Sequence, residues 1–280
     1  MPRRPPRLHA GLSLSLMLAL LAGCAGFAPM GADTPIPRRV LSLLPADALL
    51  LGEQHDAAEH QDIERQAVET LAARGRLAAL AIEMAEEGHS TVLMDPASTE
   101  AQVQEALGWN DKAWPWAAYG PAVMAAVRAG VPVLGANLPR ARMRDAMADV
   151  SLDAQLGAEA HKAQQEAVRS GHCDLLPESQ IRPMTRIQIA RDRAMAQTIL
   201  QARVPGKTVV LLSGAGHSAK GLGVPQHLPS DLAVKTVQLQ AGAPSGAPRE
   251  PGAFDAVWQT PALPEKDYCA ALRAQAEPKR

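Results

Sequence analysis

At 280 residues, with 28 lysines and arginines against 29 aspartates and glutamates, the chain carries a formal net charge of −1. No excess of basic charge is available to track a phosphate backbone, which excludes nucleic acid as a partner. Length and a hydrophobic content of 47% are enough for the core of one sizeable domain.

In chain order the first feature is an export signal. Arg3, Arg4 and Arg7 precede an apolar run of roughly 13 residues, too short to span a bilayer and suited to a secretory segment. The run ends in Leu21-Ala22-Gly23-Cys24, which resembles the bacterial lipobox. On that pattern residues 1–23 are a lipoprotein signal peptide and Cys24 becomes the acylated N-terminus. An ordinary signal peptide with a chance cysteine is the alternative. Ala25, where an aspartate would point to inner-membrane retention, directs the expectation to the outer membrane, with the domain facing the periplasm. The membrane is then met through the lipid anchor only. Cleavage removes three arginines and no acid, so the net charge moves from −1 to −4.

Residues 24–39, containing GFAPMGADTPIPRR, read as a Pro/Gly-rich tether. The domain proper is expected over 40–262, with a tail over 263–280. Cys173 and Cys269 form no C-x-x-C pattern, and in an oxidising compartment they are expected to pair and tie the tail down. Two buried free thiols are the alternative.

Short apolar runs then alternate with helical patterns. DALLLGE (Asp47 to Glu53) reads as a strand. Asp56 and Glu59 suggest a capping pattern opening a helix whose apolar face is Ile63, Ala67, Val68 and Leu71, stopped by Gly75. LAALAIEM (Leu77 to Met84) is a second strand, with polar segments to Leu107. PAVMAAVRAG reads as a short helix with Pro121 in its first turn and Gly130 past its end. VPVLGAN (Val131 to Asn137) is a third strand. Residues 141–170 and about 184–203 read as helical. KTVVLLSGAG and LAVKTVQLQ are later strands, and FDAVWQT (Phe254 to Thr260) is an edge strand. Continuous apolar strands between helices imply an α/β fold: a single domain with a mostly parallel sheet flanked by helices on both faces.

Ligands of such sheets bind beyond the carboxyl ends of the strands. There the sequence delivers Glu53 and His55, Glu83, Asn137 and His217. The glycines near His217 also invite nucleotide readings, and both fail. A phosphate-binding loop ending in Gly206-Lys207-Thr208 needs a glycine where Gln201 stands. A dinucleotide fingerprint needs a helix at once, where Gly221, Gly223 and Pro225 break it.

What remains is a repeated G-x-x-H, Gly52 to His55 and Gly214 to His217, each directly after an apolar strand. Glycines allow the sharp turn that holds an imidazole over the sheet edge. With Glu53 and Glu83, the two histidines form a set suited to a divalent first-row metal or to acid–base work. Separate structural histidines are the alternative. His60, His89, His161 and His227 read as surface residues and His172 as structural. Arg191-Asp192 reads as an ion pair facing the site, and Met184 and Met195 as core. Aromatics are 3% of the chain, yet Trp109, Trp114, Trp116 and Tyr119 fall in one stretch, a candidate apolar slot or a simple rim packing.

The stretches LLGEQHDAAEHQDIERQ, LAALAIEM, AYGPAVMAAVRAGVPVLGANLPR, IQIARDRAMAQ and VVLLSGAGHSAKGLGVP together resemble ChaN-type lipoproteins of the haem-binding uptake and Tiki superfamily. The likeness extends more distantly to erythromycin-esterase-like proteins. It covers most of residues 40–240, with Ser213 and Ser218 departing from the apolar or amide residues expected there. GHCDLLPES and the terminal DYC resemble the paired-cysteine subset, which supports Cys173–Cys269. The resemblance implies an outer-membrane lipoprotein that binds haem for iron acquisition as a homodimer, with cofacial haems held by tyrosine. Tyr119 is then the candidate ligand, beside Trp116, His55, His217 and Asn137. The other branch implies a metal-dependent hydrolase in which Glu53, His55, Glu83 and His217 are catalytic and metal-binding.

Overall fold

The apolar runs Ala48–Glu53, Leu77–Glu86 and Thr208–Gly214 become strands covered on both faces, so few positions along them have to be polar. The structure, a computed structural model, describes Met1, residues 33–243 and residues 252–276. The expected leader, Cys24 and the start of the tether lie outside the described residues. In order, the elements are α1 (Ile36–Ser42), β1 (Ala48–Glu53), α2 (Ala58–Ala72), β2 (Leu77–Glu86), α3 (Glu100–Ala106), α4 (Trp116–Arg128) and β3 (Val133–Asn137). There follow α5 (Met143–Ala148), α6 (Ala158–Gly171), α7 (Glu178–Ala202), β4 (Thr208–Gly214), α8 (Ala215–Ser218), β5 (Val234–Ala241), β6 (Ala256–Thr260) and α9 (Ala270–Ala276).

The six strands form one sheet in the order β3-β2-β4-β1-β5-β6. Every strand pair in it is parallel. Alternation along the strands sorts the core. Leu49, Leu51, Leu80, Ile82, Val210 and Leu212 pack with the apolar faces of α2 and α4. Ala48, Leu50, Ala79, Ala81, Val209 and Leu211 face Met195, Ala196 and Ile199 of α7. Because β4 enters between β2 and β1, the carboxyl ends that carry Glu83, His217 and His55 are neighbours.

Several boundaries differ from the sequence reading. Ile36–Arg39, read as tether, start α1, and Arg39 is buried beneath the Trp258 ring. Asp56 does not cap α2, whose N-cap is Ala57 with no side-chain bond. Its carboxylate accepts instead from Tyr268 and Lys266. α4 begins five residues before Pro121, because the Asp111 carboxylate accepts the Trp116 amide and fixes the start. The helix read over 141–170 is interrupted where Asp149 turns extended and its side chain accepts from the Ser151 amide. Among the described residues no helix is long and apolar enough to cross a membrane.

Candidate functional site

At the end of β1 the register sets Gly52 against Ser213 and Glu53 against Gly214. The close approach at Gly52 requires a glycine: a Cβ there stands 2.8 Å from the Ala215 Cα. Glu53 and Glu83 project to opposite faces, as the alternation of their strands dictates. Glu53 lies under α2 and α4, where Gln61 Nε2 and the Tyr119 hydroxyl donate to it at 2.6 and 2.8 Å. Glu83 lies toward α7 and accepts the Gly214 amide at 2.8 Å.

Each histidine of the repeated motif is backed by a carboxylate. His55 Nδ1 stands 2.8 Å from Glu53 Oε1, and His217 Nδ1 stands 2.6 Å from Asp192 Oδ1. Such backing fixes the ring orientation and raises the basicity of the free Nε2. The Nε2 of His217 approaches Glu83 Oε1 at 3.6 Å. The His55 ring lies over Gly214, where a Cβ would be 3.1 Å from its Nε2 and 3.7 Å from Glu83 Oε2. His55 and His217 line one cavity of about 350 Å³ together with Asp192, Gly214, Val168 and Leu222. The two imidazoles do converge, with Glu83 between them.

Burial works against a charged imidazole at both positions, and carboxylates outweigh it. The Glu53 hydrogen bond and the charge of Glu83 hold His55 above its ordinary pKa. Asp192 and Glu83 push His217 up to about 9. Burial raises Glu83, but the charges of His217 and His55 more than reverse this and hold it below the usual carboxylate range. Burial raises Asp192, against the charge and the hydrogen bond of His217.

Tyr119, Trp116, Asn137 and the carboxylates of the metal set are placed as follows. Tyr119 is 2% exposed with its hydroxyl on Glu53, and burial with that carboxylate drives its pKa far up. Trp116 donates its indole N–H to Glu100, whereas the ring set edge-on against His55, with centroids 4.8 Å apart, is Trp114. Asn137 donates to the Glu83 carbonyl rather than entering the cavity. The four-residue metal set is divided by the sheet, with Glu53 on the other face from Glu83. Among the described residues no group of three or more His, Cys, Asp or Glu side chains is arranged to hold a metal ion.

Three roles were missed. Asp192 partners His217 and not Arg191. His60 is fully buried, accepting the Gln54 amide at 3.0 Å and bonding Thr260 Oγ1 at 3.0 Å, so it props the turn that carries His55. His227 is half-buried in a 3-10 turn, and burial with the Arg193 charge pushes it down to about 4. Met195 and His172 follow the reading: Met195 is wholly buried, and His172 Nδ1 bonds the Val168 carbonyl at the cavity edge. Ser213 and Ser218 are buried and bond each other at 3.1 Å, closing the second G-x-x-H turn.

No curated protein matches the chain. Among solved structures, ChaN of Campylobacter jejuni, described with cofacial haem binding, matches with a TM-score of 0.63 at 26% identity, covering 74% of this chain and 87% of that one. The type III effector HopBA1 matches with a TM-score of 0.44 at 14% identity, covering 82% of this chain and 95% of its own. The family model for haem-binding uptake, Tiki superfamily, ChaN matches residues 40–228, and the chain belongs to that family.

Proposed function

We propose that this chain binds haem, and that it does so as an outer-membrane lipoprotein anchored through Cys24, working as a homodimer in iron acquisition. The family and the haem-binding ChaN structure support the ligand class. The donor chemistry fits it. A porphyrin needs an apolar slot and an axial donor. His55 offers an imidazole with Nδ1 held by Glu53 and a side chain 40% exposed at the cavity mouth. Trp114, Val168 and Leu222 supply apolar surface around it.

The carboxylate-backed, solvent-reached imidazole of His55 is the observation that carries the reading. Bound haem would supply a ferric centre. The chain's own residues would orient the His55 ring through Glu53, hold that carboxylate through Gln61 and Tyr119, and exclude water along α6. The metal-dependent hydrolase reading loses ground, because its carboxylates lie on opposite faces of the sheet.

Haemin titration of the full chain in mild detergent tests the proposal. A shifted Soret band saturating at stoichiometric haemin is expected, and its absence overturns the reading. The anchor is tested separately by palmitate labelling, which Cys24→Ser should abolish, and the dimer by sedimentation with and without haemin.

A further inference from the structure

The C-terminal tail, outside the region matched by the family, is tied to residues that adjoin the same cavity. Among its described residues, 261–270 are exposed or half-buried, so the segment adds almost nothing to the hydrophobic core. Two attachments hold it. Cys269 is disulfide-bonded to Cys173, immediately after His172 at the end of α6. The Tyr268 hydroxyl donates to Asp56 at 2.8 Å and accepts from Gln54 at 3.3 Å, the two residues that flank His55. Lys266 adds an ion pair to Asp56 at 3.4 Å.

These attachments join opposite walls. α6 supplies Gln164, Ala167, Val168 and Gly171 to one side of the cavity, and the turn carrying His55 forms the other. Tyr268 and Cys269 are consecutive, with Cα atoms about 3.8 Å apart, yet one is tied to each wall. α6 needs such a tie. Of its fourteen residues only Gln164 and Val168 are buried. Its end turns through Cys173 and Asp174, both left-handed at φ 58° and 57°, a conformation that non-glycine residues keep only when their surroundings impose it.

We propose that Tyr268 and the Cys173–Cys269 disulfide form a clasp that fixes α6 as a wall of the His55–His217 cavity and so sets the size of ligand admitted. The inference rests on the haem reading for its ligand and on the structure alone for the clasp. At about 350 Å³ the clasped cavity lies near the lower end of small-molecule sites, which span roughly 300–1,000 Å³. A whole porphyrin with its propionates exceeds it, so full entry requires α6 to move outward.

The test compares the full chain in mild detergent with C173S/C269S and with Tyr268→Phe, which keeps the disulfide and removes the phenol's bonds. Amide exchange of Ala158–Gly171 and stopped-flow association of haemin are both measured. The double variant is expected to raise both rates at least tenfold, and Tyr268→Phe about threefold, while exchange in β1 and β4 stays unchanged. Unchanged α6 exchange in both variants overturns the clasp and leaves a cross-link that only stabilises the fold. Faster exchange with unchanged haemin association overturns the size-setting role. If C173S/C269S does not fold, Tyr268→Phe decides by the same two readouts. If no protein binds haemin, the haem reading fails and with it the size-setting role, while α6 exchange still decides the clasp.

Discussion

His217 Nδ1 and Asp192 Oδ1 stand 2.6 Å apart, tying the turn after β4 to the middle of α7 across the cavity floor. Asp192 is 1% exposed. Removing one partner of a buried pair leaves the other desolvated without compensation, at a cost of about 3–5 kcal/mol. Asp192→Ala should lose that much stability in urea unfolding, while Asp192→Asn, which keeps an acceptor for the imidazole N–H, should lose less than half of it. Equal losses would show that the carboxylate charge carries the whole effect and that a neutral acceptor of the same size restores none of it.

The same pair predicts how stability depends on pH. His217 is raised from 6.5 to about 9 by Asp192, Glu83 and the Asp192 hydrogen bond, against burial and the Arg191 charge. The folded state therefore binds a proton that the unfolded chain releases near 6.5. This contribution is complete below 6.5 and is lost as pH climbs through about 9. Asp192, itself raised, acts in the same direction at lower pH. Tm should fall steadily between pH 6.5 and 9.5 in the wild type, and His217→Ala should flatten that slope. A wild-type Tm that holds constant across the interval contradicts the assignment.

Tyr119 separates a structural from a ligand role. Its hydroxyl donates to Glu53, with the ring buried among the tryptophans. Tyr119→Phe removes a hydrogen bond to a charged group, a loss of roughly 1.5–3 kcal/mol, which chemical denaturation will read. Soret position and haemin affinity should stay within twofold of wild type. Loss of the Soret shift with stability intact would return the phenol to the ligand sphere.

These residues also show what the sequence makes legible. Strands buried on both faces appear as unbroken apolar runs, and a glycine-rich turn after each of two strands marks His55 and His217. The alternation rule could have separated Glu53 from Glu83, since each strand's apolar residues define its faces. Asp192 and His60 were beyond reach. Asp192 lies 25 residues from His217 and its neighbour Arg191 offered a nearer partner, while His60 is held by the backbone of Gln54 and by Thr260, 200 residues on. For Tyr119, composition shows that an aromatic is rare, not which way its ring points.

Gly214 and Gly216 provide the sharpest separation of site from scaffold. Neither has a positive φ, so alanine carries no backbone strain at either position. A Cβ at Gly214 stands 3.1 Å from His55 Nε2, close enough to push the imidazole aside, while one at Gly216 has nothing within 4 Å. The His55 ring is partly exposed and has room to shift, so Gly214→Ala should cost under ~1 kcal/mol in stability. Displacing the donor nitrogen should nevertheless weaken haemin at least tenfold, as should His55→Ala. Gly216→Ala, in the same turn, should match wild type in both measurements. If both alanines bind haemin as the wild type does, the His55 nitrogen is not where the ligand is held.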